Sequence, residues 1–472
     1  MKVLPINPIE NASPSALRAF LLRCQSVAVA KKHAQLVSIT ITVDALDPLA
    51  VLEAIYEPGH PHFYAEHPAD GTAIAGAEVA LELKFDGKDR FARLQEFADT
   101  TFAHSIAVGE VRAPFGGPHV FVAATFEETM SPEEPFPALT AFVPRWQVAR
   151  AGAVTTAVAN FVIDQQSNLT DLAERILRAH ARFTGFGYGS GDPAPTREIP
   201  SRFSQNEDND FRASVATAVE AIDRGDFAKI VLARAIDLTA DAPLHPLEAL
   251  AGLREKFPDC FSFSIANGSG DSFIGASPER LVRVSQGVLE ADVLAGTISR
   301  GRGAAADAAM AAELQSSTKD RHEHQLVLDS VLSHLRELGL NPEFPENPGM
   351  RKLANLQHLH TPVRATLPAE VNLLDALTAL HPTPAVGGSP RESAVASIGE
   401  LEGFSRGLYA GAIGWINARS GGEFMVGIRS ALVRENRARV YAGAGIVAGS
   451  TPEKEFDETD LKFRALLEGL LP

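Results

Sequence analysis

The sequence predicts an α+β fold with mainly antiparallel sheets flanked by helices. Long strand-like and helical segments are mixed without the regular alternation of a doubly wound sheet, and the C-terminal part reads as a meander of neighbouring strands. The 472 residues, 45% apolar and 22% charged, suffice for a sizeable core in a soluble globular chain. Residues 15–30 are helical in character, and "LVSITITVDA" (36–45) alternates as a strand does. Further strands are expected at "EVALELKFDG" (78–87), "HVFVAATFEE" (119–128) and "TTAVANFVID" (155–164). Residues 185–210 form the longest run of Gly, Pro, Ser and charge, and are expected to be a linker or long surface loop. After it, "FRASVATAVEAIDRGD" (211–226) reads as a helix, and "AKIVLARAIDL" (228–238), "FSFSIA" (261–266) and "SFIGAS" (272–277) read as strands. One long helix is expected over about 307–338, with Leu326, Val327, Val331, Leu332, Leu335 and Leu338 on its apolar stripe. "LYAGAIGWI", "EFMVGIRSALV" and "RARVYAGAGIV" make the meander, and a last helix covers about 452–470.

A formal net charge of −16 argues against a nucleic-acid partner, because phosphate-backbone binders present basic surface. An anionic substrate then needs a local set of cations, backbone N–H groups or a metal. The two cysteines, Cys24 and Cys260, lack C-x-x-C spacing and give neither a zinc ribbon nor a disulfide framework. A reducing cytoplasm is the expected setting. The N-terminal text has no apolar run before its polar "NASPS" and does not read as a signal peptide. No stretch of about 18 uninterrupted apolar residues is present, so no membrane association is expected.

Two motifs fail on context. "GFSRG" (403–407) fits the G-x-S-x-G pattern of a nucleophile elbow, which requires a strand before it and a helix after it. Here polar "SIGELE" precedes and strand-like "LYAGAIGW" follows. "STKDRHEHQL" (317–326) looks like a zinc site, yet His322 and His324 lie two positions apart, about 200° around a helix, and face opposite ways. Asp320 and Glu323, three apart, share a face. One such pair is ordinarily a solvated helix face. A second pair, Glu455 and Glu458, lies in "STPEKEFDETDLKF" (450–463), where Ser450 and Glu453 have capping-box spacing and Lys462 follows one turn beyond. Two carboxylate pairs on two helices are the parts of a site for a hard divalent cation such as Mg²⁺. The alternative for the second pair is a negatively charged first turn favoured by the helix dipole.

The ordered motifs "AKIVLAR", "IGASPERL", "LAGTISRGR", "STKDRHEH", "LQHLHTPVRA", "HPTPAVGGSP", "RGLYAGAIGW" and "GAGIVAGSTPEKEFDET" resemble the chorismate-utilising enzymes, most closely the isochorismate synthases. The likeness covers about 211–465 and extends more weakly through "FYAEHP", "FGGPHVF" and "AFVPR". It implies that fold type, with a chorismate-binding catalytic region over 201–472 and an N-terminal region, 1–200, contributing strands to the same fold. It also implies a Mg²⁺-dependent isomerase that adds water at C2 of chorismate while the C4 hydroxyl leaves. The general base then falls on Lys229 and the general acid on Glu279, with each charged form disfavoured by its surroundings. The metal ligands fall on Glu323 and Glu458, with Asp320 and Glu455 reaching the ion through water. Arg429 and Tyr409 match binders of the pyruvyl carboxylate, and Gly443 offers a backbone N–H there. Lys462 lies near the substrate carboxylate and metal, while Thr297 and His358 line the pocket, His358 close to the leaving hydroxyl. Relatives that use ammonia typically carry glutamine at the position of Lys229, and some carry a nucleophilic lysine at that of Ala295. Salicylate synthases usually carry threonine where Ala385 stands. These differences favour water as nucleophile and isochorismate as product. The long N-terminal region looks more like the menaquinone-type enzyme than the siderophore type.

Overall fold

The computed structural model describes residues 1–3, 13–55, 59–184, 202–207 and 209–470. Among these, 21 strands join into one hydrogen-bonded sheet system with helices packed around it. Pairing is antiparallel throughout except where strand Ser105–Gly109 runs parallel to Lys2–Val3 and to Gln35–Val43. Antiparallel ladders need only short connections, which is why the sequence lacks a βαβ rhythm. The N-terminal strands are woven into the same ladders as the later ones. Pro61–His67 pairs with Phe261–Asn267, and His119–Ala124 pairs with Ala412–Asn417. The main core accordingly draws on both parts of the chain, from Phe63, Phe121 and Phe142 to Phe263, Phe424 and Ile446.

Most of the expected elements are present: helices Pro14–Lys31, Phe211–Arg224 and Pro452–Leu470, and strands Gln35–Val43, Lys229–Ala240 and Arg437–Val447. Three expectations change. Of the proposed 185–210 linker, 185–201 and 208 lie outside the described residues, but Phe203–Glu207 is a strand paired with Ile236–Ala240. Backbone pairing at a sheet edge needs no apolar side chains, so the polar text concealed it. The expected 307–338 helix is two helices, Ala304–Ser316 and Thr318–Glu337. Ser317 between them is extended (φ −65°, ψ 116°), and its hydroxyl accepts the N–H of Asp320, capping the second helix. The break places Asp320 in a first turn, where the helix dipole favours a carboxylate. The last helix starts at Pro452, one residue later than a Ser450–Glu453 capping box requires, and the Ser450 hydroxyl instead accepts the N–H of Val447.

Candidate active site

The Lys229–Ala240 and Arg437–Val447 strands pair over Lys229–Thr239, setting Lys229 opposite Val447, Val231 opposite Gly445 and Ala233 opposite Gly443. Side chains two apart share a sheet face, so Lys229 and Val231 look out on the same side as the two glycines. Helix Thr318–Glu337 lies across that face. A Cβ on Gly445 would sit 2.1 Å from Glu323 Oε1, and one on Gly443 would sit 2.7 Å from the Tyr409 hydroxyl. Glycine at these two positions is what lets the Glu323 and Tyr409 side chains approach the sheet.

The burial pattern of the helix agrees with the opposed faces expected for His322 and His324 in "STKDRHEHQL". His322 is exposed, while His324 is buried with Nε2 2.8 Å from the Thr361 hydroxyl. The two histidines point apart, and Glu323 is buried toward the sheet. Lys229 Nζ lies 3.0 Å from Glu323 Oε1, a close charge contact whose angles fall outside a hydrogen bond. Glu455 is buried and accepts from Lys319 Nζ at 2.7 Å. Lys462 Nζ donates both to Glu458 Oε1 at 2.8 Å and to the Gly443 carbonyl at 2.7 Å. The Asp320 carboxylate accepts the Ser317 hydroxyl. The helix carrying Glu455 and Glu458 is anchored from the other face of the Lys229 strand by buried Arg234. Its Nη1 donates to Thr459 Oγ1 and Asp460 Oδ1, both at 2.9 Å, and its guanidinium lies 3.7 Å from the centre of the Phe456 ring.

Among the described residues, no three His, Cys, Asp or Glu side chains converge on one point at metal-holding distance. Each of the three glutamates instead meets a lysine. The residues nevertheless fit a hard cation, because their only donors are carboxylate oxygens and negative charge is crowded among them. Asp320 is held above the usual carboxylate range by burial and by the charges of Glu323 and Glu458, against the Ser317 hydrogen bond. Glu455 is raised by burial and by Glu458, against Lys319. A divalent cation among them would relieve that repulsion, and Asp320, Glu323, Glu455 and Glu458 are the groups that would hold it.

Glu279 is buried on the neighbouring wall, in the turn between strands Asp271–Ser277 and Arg280–Ser285. Burial pushes its carboxyl up to about 8, the charge of Asp292 adds to this, and Lys229 opposes it. It is therefore protonated at neutral pH and can donate a proton. Further along, Thr297 Oγ1 is 3.1 Å from His358 Nδ1, and His358 Nε2 is 2.8 Å from Arg429 Nη2. A guanidinium only donates, so His358 accepts at Nε2 and carries its proton on Nδ1, facing Thr297. Burial, then Arg429 and Lys462, hold His358 well below the usual histidine range, in keeping with a neutral ring. Arg429 sits in the left-handed region (φ 50°), and its buried Nη1 makes no hydrogen bond, although the Cys260 thiol lies beside the guanidinium. A buried guanidinium with an idle donor is ready for a carboxylate. Tyr409 stacks on Tyr441 with centroids 5.0 Å apart. Ala233 directs its N–H and C=O to Glu402 and Asn209, away from Arg437–Val447. The Ala233–Gly443 pair is thus not hydrogen-bonded, and the Gly443 amide points away from the Lys229 strand, to the side where its carbonyl meets Lys462.

The sequence reading missed Lys319, Gly445 and Asp292. Lys319 lies inside "STKDRHEH" next to Asp320, whose spacing to Glu323 is the stronger signal. Gly445 and Asp292 act through proximity across the sheet, which no spacing along the chain reveals. Replacing Gly445 by alanine forces its Cβ into Glu323 Oε1 and within 3.2 Å of Lys229 Cε. Both are ends of flexible side chains, so they move aside at little cost to the fold while the site is misaligned. The expected result is a melting midpoint within a few degrees of the parent and a loss of about 10²-fold in turnover, the scale of an ångström displacement at a reacting centre.

The sequence matches the chorismate binding enzyme family over residues 20–471. It is 35% identical to the salicylate biosynthesis isochorismate synthase of Pseudomonas aeruginosa, over 96% of this chain and 94% of that one. It is 30% identical to isochorismate synthase MenF of Bacillus subtilis, over 93% and 94%. Among solved structures, the fold resembles MenF, the menaquinone-specific isochorismate synthase of Escherichia coli, with a TM-score of 0.75 at 24% identity over 96% of this chain and 100% of that one.

Proposed function

Since the chain belongs to the chorismate-binding enzyme family, we propose that it is an isochorismate synthase, an isomerase interconverting chorismate and isochorismate. The observation that carries this reading is the pairing of a buried lysine and a buried, protonated glutamic acid in one site. Lys229, acting as the neutral amine after giving up its proton, takes the proton of the water that attacks C2, and Glu279 delivers a proton to the departing C4 hydroxyl. Lys229 stands where ammonia-using relatives carry glutamine, which favours water as nucleophile. Arg429, Tyr409 and the Gly443 amide receive the pyruvyl carboxylate, and Lys462 lies near the substrate carboxylate and the metal. Thr297 and neutral His358 line the pocket on the side of the leaving hydroxyl. Asp320, Glu323, Glu455 and Glu458 would hold Mg²⁺, which when bound neutralises the ring carboxylate. The N-terminal region, 1–200, is part of the same catalytic fold. Two buried free thiols, Cys24 and Cys260, suit a cytoplasmic setting. The full-length likeness to Bacillus MenF supports a role in menaquinone biosynthesis, and the likeness to the Pseudomonas enzyme is compatible with the same product.

Purified protein incubated with chorismate and Mg²⁺ is expected to yield isochorismate by chromatography, with turnover abolished by EDTA and restored by Mg²⁺. Ammonium salts should give no aminated product. Pyruvate released in step with chorismate consumption would replace this reading by a salicylate synthase, and turnover indifferent to EDTA would remove the metal from it.

A further inference from the structure

We propose that Glu402 and Arg406 are positioning residues that hold the Lys229 strand and Tyr409 in working register, an inference that rests on Lys229 as the base. One edge of strand Lys229–Ala240 is continuously paired with Arg437–Val447. The other edge is interrupted. Lys229 and Ile230 pair with Ser389 and Gly388, and Ile236–Ala240 pairs with Phe203–Glu207. Between these segments no strand among the described residues pairs with Val231–Ala235. An unpaired edge inside a core leaves buried N–H and C=O groups that must find partners.

The gap is filled by side chains. Arg406 Nη2 donates to the Val231 carbonyl at 2.8 Å, and the Ala233 N–H donates to Glu402 Oε1 at 2.7 Å. Gly387 and Asn209 serve the other groups of Val231 and Ala233, accepting from the Val231 N–H at 2.9 Å and donating to the Ala233 carbonyl at 3.2 Å. A guanidinium and a carboxylate thus occupy the place of a missing strand. Both are buried and bonded to each other, with Arg406 Nε 2.9 Å from Glu402 Oε2, while Arg406 Nη1 reaches the Val386 carbonyl at 2.8 Å. The turn holding Arg406 is itself pinned by Glu127, which accepts the N–H groups of Arg406 and Gly407 at 2.8 and 3.1 Å. The Tyr409 N–H then donates to the Arg406 carbonyl at 3.0 Å. The bonding of this ion pair is spent on the backbone two and four residues beyond Lys229 and on the turn that presents Tyr409. "GFSRG" therefore has a role through its arginine, not its serine.

The test uses the full-length protein carrying Glu402→Gln or Arg406→Lys, at a temperature where near-ultraviolet circular dichroism shows the native signal. Hydrogen exchange resolved to single residues is expected to speed up at the Ala233 amide by tenfold or more in Glu402→Gln. Leu232 and Arg234, whose amides face the intact ladder with Arg437–Val447, should stay protected. Isochorismate formation should fall about 10²-fold in kcat, the cost of misplacing a reacting group by about an ångström. Glu402→Asp should recover part of it. Should Glu402→Gln fail to accumulate in folded form, the same measurements on Arg406→Lys decide, with exchange read at Val231 and Ala233. Faster exchange with parental kcat would overturn the proposal, leaving the pair a purely structural suture, as would parental values of both. Lys229→Ala is measured alongside. If it keeps full activity, the assignment of the base has failed. If it is inactive while Glu402→Gln is parental, the positioning inference alone has failed.

Discussion

Lys229→Ala is expected to reduce isochorismate formation by about 10²- to 10⁴-fold, the span that one general base contributes, while the native circular dichroism signal is kept. Nothing exposed can substitute for this amine, because Lys229 is buried with its Nζ against Glu323. The strand beneath it is held by its full register with Arg437–Val447, so truncating the side chain does not unpair the backbone. The loss leaves Glu323 without its lysine, and a buried carboxylate stripped of its partner destabilises a fold. Lys229→Met separates the amine from the packing of its stem, since it keeps the apolar chain and removes only the charged end, leaving Glu323 unpaired as Lys229→Ala does. Both variants should show the same kinetic defect, with the smaller loss of melting midpoint in Lys229→Met. Isotope-labelled water gives a second readout: oxygen from solvent should enter isochorismate with the parent enzyme and not detectably with either variant. Parental turnover in Lys229→Met would end the assignment of Lys229 as base.

The helical arithmetic that set His322 against His324 needed only the sequence, and the exposed and buried positions of the two rings agree with it. So did the sharing of a face by Asp320 and Glu323, because a helix fixes the angle between neighbours locally. What the text concealed is non-local. The break at Ser317 is invisible to periodicity, since the apolar stripe of Val327, Val331 and Leu332 belongs wholly to the second helix and Ala304–Ser316 merely precedes it in phase with helical propensity. Ser317 followed three residues later by Asp320 was a usable capping signal. The pairing of Lys319 with Glu455 joins residues 136 apart, and that of Lys462 with the Gly443 carbonyl depends on how one helix leans over one strand. The strand Phe203–Glu207 was hidden because edge pairing satisfies the backbone without asking for a hydrophobic side chain. Residues expected to touch the reacting site could be picked out through resemblance. Their neighbours across the sheet, such as Glu402, Arg406 and Asp292, required the structure.

The second large effect falls on Glu279, and it has a pH signature. Its carboxyl is raised to about 8 by burial first and by Asp292 second. Burial works against ionisation of Asp292 as well, but the hydrogen bond from His360, at 2.8 Å, and the charges around it keep Asp292 below the usual carboxylate range. An ionised Asp292 beside a protonated Glu279 is a pair whose surroundings have pushed the two carboxyls apart, as a general acid requires. In the direction from chorismate, kcat should therefore decline as pH rises above about 8. Glu279→Gln should lower kcat by about 10²- to 10⁴-fold and erase that limb. Stability moves in the corresponding sense. A carboxyl raised in the folded state binds its proton more tightly there than in the unfolded chain, so its contribution is complete below pH 4.5 and is lost as pH climbs toward 8. Denaturant midpoints should show Glu279→Gln gaining on the parent between pH 5 and pH 9, at roughly the pH range where the parent must charge a buried group. Asp292→Asn removes the second cause of the shift, and should carry the alkaline limb of kcat to lower pH without abolishing turnover. A limb that stays in place in Asp292→Asn, or that survives in Glu279→Gln, would mean that another group delivers the proton to the leaving hydroxyl.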